Sequence, residues 1–90
     1  MGKHIQAKVS TNAGDLVKQA MKARSITQIM LANRLGYKGQ NSISMTLNGH
    51  NMQVNVLAMM LDELGFDLII KDRNSNNKEN QWKVELISNE

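Results

Sequence analysis

Ninety residues leave room for one domain, and the absence of Cys excludes disulfides and thiolate zinc sites, which fits a reducing cytoplasm. Only three aromatics (Tyr37, Phe66, Trp82) and no Pro argue against a β-sandwich or barrel, while 41% apolar and 21% charged residues describe a folded rather than a disordered chain. The net charge of +3 is unevenly spread: residues 1–50 carry seven Lys/Arg against Asp15 alone, and residues 51–90 carry four against seven Asp/Glu. The first half, at +6, offers an electrostatic footprint for a polyanion; the second stands at −3.

The opening MGKHIQAKVS has no apolar core of a signal peptide, and position 6 is Gln rather than the Ser or Thr that myristoylation needs. No apolar run approaches the length of a membrane span, so a cytoplasmic protein without a membrane partner is expected. Residues 1–11 read as an arm in which Ile5, Ala7 and Val9 alternate. A short strand, a frayed tail and an early helix start all fit it. Lys3 and Lys8 are read as a solvated tail in preference to a groove-reaching arm.

Four helices are predicted over residues 12–65. Asn12, with Asp15 three residues on, resembles a capping box, and Leu16, Val17, Ala20 and Met21 set a helix over 13–24. Thr27 caps a second helix with Ile29, Leu31, Ala32 and Leu35 apolar, stopped by Gly36. A third, polar helix runs from Gln40 to Asn48 and ends at Gly49. A fourth covers 53–64, with Val54, Leu57, Ala58, Leu61 and Leu64 on one face and Gly65 just past its end. The period then changes. Phe66, Leu68 and Ile70 alternate with Asp67, Ile69 and Lys71; residues 72–81 hold nothing apolar; Trp82, Val84 and Leu86 alternate again. That predicts a β-hairpin with a long tip over 66–90, part of the same domain, with Phe66 and Trp82 as anchors to the helices. A lone hairpin is marginal in water, so it must pack on the helices or pair with another chain; its exposed edge makes it the candidate dimerisation element, with packing through the fourth helix as the alternative.

The second and third helices carry the functional signal. Gln28, Ala32 and Gly36 are each four apart, so a small residue admits a crossing helix and Gly36 permits a positive-φ turn. Ile43 and Leu47 form the buried stripe of the third helix. Its opposite face holds Gln40, Asn41, Ser44, Met45 and Asn48, with no charge at all, whereas a merely solvated face normally carries Lys and Glu. Short neutral hydrogen-bonding side chains suit the reading of base edges.

At these residues the sequence, TQIMLANRLGYKGQNSISMTLNGHN from Thr27 to Asn51, resembles the lambda-repressor-like (xenobiotic-response-element type) helix-turn-helix family. The shared features are Thr27-Gln28, Ala32, Gly36, Gly39-Gln40 and Asn48-Gly49; with the flanking helices the resemblance spans about residues 12–65. It implies a mainly α, compact four-helix domain with the C-terminal hairpin as an addition. It further implies a cytoplasmic, nucleoid-associated transcriptional regulator, a bacterial or phage repressor that binds double-stranded DNA as a homodimer on a palindromic operator, with the third helix in the major groove. By position, Gln40 resembles the family's base-reading Gln, and Asn41, Ser42, Ser44 and Met45 lie where the family varies its specificity. Thr27, Gln28, Asn48 and Asn51 resemble its phosphate contacts. One residue more than the usual tight turn lies between Gly36 and Gln40, which bears on the tilt of the third helix; the longer turn carries Lys38, a further phosphate contact on this reading.

Other residues have plainer readings. The Met residues are read as core filler. Tyr37 fits a phosphate contact and packing against the turn equally. His4 and His50 lack ligand-spaced partners, so no metal or other cofactor is expected. No nucleophile–base or paired-carboxylate arrangement can be argued, so no enzyme is expected. A second function class is an antitoxin of a toxin–antitoxin pair, in which Asp62, Glu63, Asp67 and Asp72 would dock a basic toxin protein.

Overall fold

The spacing of apolar residues sets four helices, which the computed structural model describes together with a short hairpin over residues 9–49, 51–75 and 79–87. In chain order these are α1 (Ala13–Arg24), α2 (Gln28–Leu35), α3 (Gln40–Asn48), α4 (Val54–Glu63), β1 (Ile69–Lys71) and β2 (Gln81–Lys83). Each helix turns a narrow stripe inward: Val17, Ala20 and Met21 from α1, Leu31 and Ala32 from α2, Ile43 and Leu47 from α3, Met60 and Leu61 from α4. α1 and α2 each pack against both α3 and α4. The two strands pair antiparallel, Ile69 opposite Lys83, Ile70 opposite Trp82 and Lys71 opposite Gln81. The result is a mainly helical domain of four helices with a two-stranded C-terminal hairpin. Residues 1–8 of the predicted arm (1–11), and with them His4, Lys3 and Lys8, lie outside the described residues, as does His50.

Local chemistry sets the helix ends. The Thr27 hydroxyl accepts the Met30 N–H at 3.2 Å and caps α2. Gly36, at φ +79°, turns the chain at its other end, where the Tyr37 N–H donates to the Ala32 carbonyl at 2.9 Å. Gly65, at φ +81°, stands just past α4 as expected. Asn12 departs from expectation: its side chain makes no capping bond, and the Thr11 hydroxyl accepts the Ala13 N–H at 3.2 Å instead. α1 also ends without glycine. Ser25 takes the left-handed conformation (φ 58°), and the Ile26 N–H returns to the Met21 carbonyl at 2.9 Å.

Several apolar positions are not core. Leu16, Ile29 and Val54 sit at the margins of their helical stripes and are exposed, because no further element covers those margins. Among the methionines, Met21 and Met60 are buried, but Met30 and Met45 are exposed. The hairpin also differs from its prediction. Its regular pairing is three residues per strand, and only its base touches the helices: Phe66 and Leu68 pack on the core. Ile70 and Trp82, one pair further out, overhang it and are exposed, so Trp82 is no anchor.

Arg24, at the end of α1, provides the anchor that Trp82 does not. Its Nε donates to the Leu64 carbonyl at 2.8 Å, and an Nη donates to the Gly65 carbonyl at 3.3 Å. The guanidinium lies 4.1 Å from the Phe66 ring centroid. A cation thus meets the carbonyl end of α4 and the aromatic face that begins the hairpin segment.

The tightest joint is between α1 and α3. A Cβ on Gly14 would stand 1.8 Å from the Leu47 carbonyl oxygen, so only glycine lets the two backbones meet there. In an ordinary helix, Gly→Ala stabilises by roughly 0.5–1 kcal/mol. Gly14→Ala is predicted to do the reverse, lowering stability by about 1–3 kcal/mol as overpacking does. Thermal unfolding of the variant, followed by circular dichroism, measures this; an unchanged or raised midpoint would contradict the close approach.

Candidate nucleic-acid interface

α3 is seated by two side chains four residues apart. Ile43 is fully buried and Leu47 is 2% exposed. At 3.6 residues per turn, the position diametrically opposite this pair is Met45, which is 76% exposed. Asn41, Ser42 and Asn48 flank it and are exposed, Gln40 is exposed at the first turn, and Ser44 and Thr46 are half-buried at the sides. The helix has no acidic residue in its first turn and no basic residue in its last. The outward face is therefore a neutral surface of amides and hydroxyls around one thioether.

Three of these side chains already have partners. The Lys18 ammonium of α1 donates to Asn48 Oδ1, and Asn48 Nδ2 donates to the Ser44 hydroxyl at 3.2 Å. Ser44, Asn48 and Lys18 thus form a chain along the α1 side of α3, away from its centre. The Thr46 hydroxyl donates back to the Ser42 carbonyl at 3.1 Å. Among the described residues, Gln40, Asn41 and Met45 make no such bond, and all three are exposed. At the N-terminal end, Gly39 supplies no side-chain cap to α3.

The residues expected at phosphates spread around this face. Gln28 is half-buried at the start of α2, Thr27 spends its hydroxyl on the α2 cap, and Lys38 is exposed in the connection just before α3. Asn51 lines a shallow groove of about 390 Å³ with Met45, Thr46, Gly49, Met52 and Gln53. The four-residue connection from Gly36 to Gly39 accommodates the additional residue, with Gly39 fully extended and Tyr37 half-buried against the core. Tyr37 is thereby a packing residue.

Among the described residues, the basic side chains of the first half have different neighbours. Arg24 serves the end of α4, and Arg34 lies 3.9 Å from Glu63. Lys18 and Lys38 are the basic residues the fold sets beside α3, one near each end. Lys18 was missed as a site residue and counted only as charge. The available signal was its position one turn after Gly14: a glycine inside an apolar-periodic helix marks a close backbone approach, and the next turn then borders the incoming helix. Asp15 lines the cleft at this end with Thr11, Gly14 and Asn48.

Lys18→Ala is predicted to cost under about 1 kcal/mol, as exposed polar contacts do, and to shift the Asn48 side-chain amide resonances while leaving those of Gln40 in place. Two-dimensional amide spectra with a thermal melt read both; a shift at Gln40 equal to that at Asn48 would contradict the separation of the two ends. Comparison with protein-family models, with curated proteins and with solved structures finds no match to this chain.

Proposed function

We propose that the protein is a sequence-specific DNA-binding regulator that lays α3 in the major groove. The observation that carries this reading is the outward face of α3, neutral and hydrogen-bonding, with a lysine near each end. Amide side chains can bond adenine on two atoms, and apolar groups contact the thymine methyl, so Gln40, Asn41 and Met45 are the assigned base readers. Ser42 and Ser44 act at the margins of the same face. Gln28, Lys38, Asn51, Thr27 and the Lys18–Asn48 pair hold the phosphates on either side. This agrees with the resemblance to lambda-repressor-like helix-turn-helix proteins and makes a repressor the specific form of the proposal. No described helix is long and apolar enough to cross a membrane, and a nucleoid-bound location follows from the proposal itself.

One helix spans only a few base pairs, so useful affinity calls for two copies. A symmetric dimer reads a palindrome with half-site centres about 34 Å apart. The antitoxin reading stands second. Two of the acids it depends on are engaged within the chain, Glu63 beside Arg34 and Asp67 at 3.5 Å from Lys83.

Gln40→Ala is predicted to cost roughly 1–3 kcal/mol at one base position and to relax specificity there. Lys38→Ala is predicted to weaken all sequences alike and to reduce the salt slope by about one. Fluorescence anisotropy with the selected operator and single-base variants measures both. Unchanged operator affinity in the Gln40→Ala, Asn48→Ala double variant would sink the placement of α3.

A further inference from the structure

The hairpin has a free edge with an unusual symmetry of sequence. The Val84 N–H donates to the Leu68 carbonyl at 2.7 Å, and the Asp72 N–H donates to the Asn80 carbonyl at 3.1 Å. Ile70 faces Trp82 between these bonds. Residues 68, 70 and 72 therefore turn their backbone polar groups toward β2. Successive residues of an antiparallel strand address opposite edges, so Asp67, Ile69 and Lys71 turn theirs outward. Among the described residues, the backbone N–H groups of Ile69 and Lys71 have no partner. A row of unpaired groups on an exposed strand is a template for another strand.

We propose that the occupant of this edge is β1 of a second copy, paired antiparallel about a two-fold axis through Ile69, so that the two hairpins form one four-stranded sheet. In this register Ile69 faces Ile69 of the partner subunit, and Asp67, which lies 3.5 Å from Lys83 of its own chain, also faces Lys71 of the partner subunit on both sides of the axis. Leu68 faces Ile70 of the partner subunit, giving an apolar partner to a residue that overhangs the monomer's core. Every opposed pair is thus either apolar–apolar or of opposite charge. Opposed pairs of these kinds favour pairing, and like charges oppose it. The neighbouring arrangements lack this match. Centring on Asp67 or Lys71 sets like charges face to face. Centring on Ile70 sets Leu68 against Asp72 and Ile69 against Lys71. Pairing through β2 about Lys83 sets two lysines together.

The two-fold is perpendicular to the sheet, and Leu68 and Val84, half-buried, lie on the face that meets the helices. Both helical bodies then lie on the same side of the joint sheet. This supplies the second copy that the DNA reading calls for, yet it rests on β1 alone.

The experiment uses the full chain without DNA, so its failure leaves the DNA reading intact, and a failure of DNA binding leaves the dimer intact. Molar mass is measured by sedimentation equilibrium over a dilution series, with far-UV circular dichroism to check that each variant is folded. The wild-type chain is expected to dimerise. Asp67→Lys alone and Lys71→Glu alone are expected to be monomers, since each opposes like charges twice. Mixed in equal amounts, they are expected to form a heterodimer, because both cross-strand pairs become attractive again. Ile69→Pro blocks the outward edge without changing charge or the bonds to β2, and is expected to be a monomer. A wild-type chain that stays monomeric, a mixture that stays monomeric, or an Ile69→Pro variant that still dimerises would each overturn the proposal.

Discussion

The joint between Gly14 and the Leu47 carbonyl fixes where α3 stands. α3 is nine residues long and buries only Ile43 and Leu47. Two side chains can hold a short helix on a core, but they leave its height and tilt adjustable. The backbone contact with α1 removes that freedom: α1 and α3 meet where no side chain intervenes, and Leu47 is locked from both its side chain and its carbonyl. The direction in which Gln40, Asn41 and Met45 project follows from this contact. So does the meeting of Lys18 with Asn48, one turn further along α1.

The opposite end of α1 performs a comparable task for the rest of the chain. Arg24 reaches the carbonyls of Leu64 and Gly65 and covers Phe66, which ties the exit of α4 and the entry to the hairpin to α1. One helix thus positions the polar face of α3 through its first turns and the hairpin through its last residue. The charge division seen in the sequence resolves accordingly. Arg24 and Arg34 turn toward the second half, one at the α4 terminus and one beside Glu63, while Lys18 and Lys38 border α3. Among the described residues, the basic side chains of the first half are therefore a structural pair and a flanking pair, together with Lys22 exposed on α1.

Elements governed by local chemistry were legible in the sequence. The bounds of α1, α2 and α3, the Thr27 cap, the Gly36 turn and the uncharged face opposite Ile43 and Leu47 all follow from residues within a turn or two of one another. What was not legible depends on partners far along the chain. Gly14 meets Leu47, Arg24 meets Leu64, and Lys18 meets Asn48; no periodicity within one helix encodes such pairs. The end of α1 at Arg24 was legible, but the left-handed turn that closes it was not, because Ser25 adopts it without being glycine. Trp82 was misjudged because alternation predicts a common face but not how far the helical body extends beneath it. Leu68 reaches that body, and Ile70 and Trp82, one pair further out, lie beyond its edge. Met45, by contrast, was legible from its angular position opposite Ile43 and Leu47, although methionines in general read as core filler.

The central claim is that the neutral face of α3 reads base sequence. Selection of bound fragments from a random pool of double-stranded DNA tests it most directly, because it assumes no operator. Enrichment of a palindromic motif whose half-site centres lie about one helical turn apart is expected. Retention of fragments with no common motif, or of none at all, would contradict it.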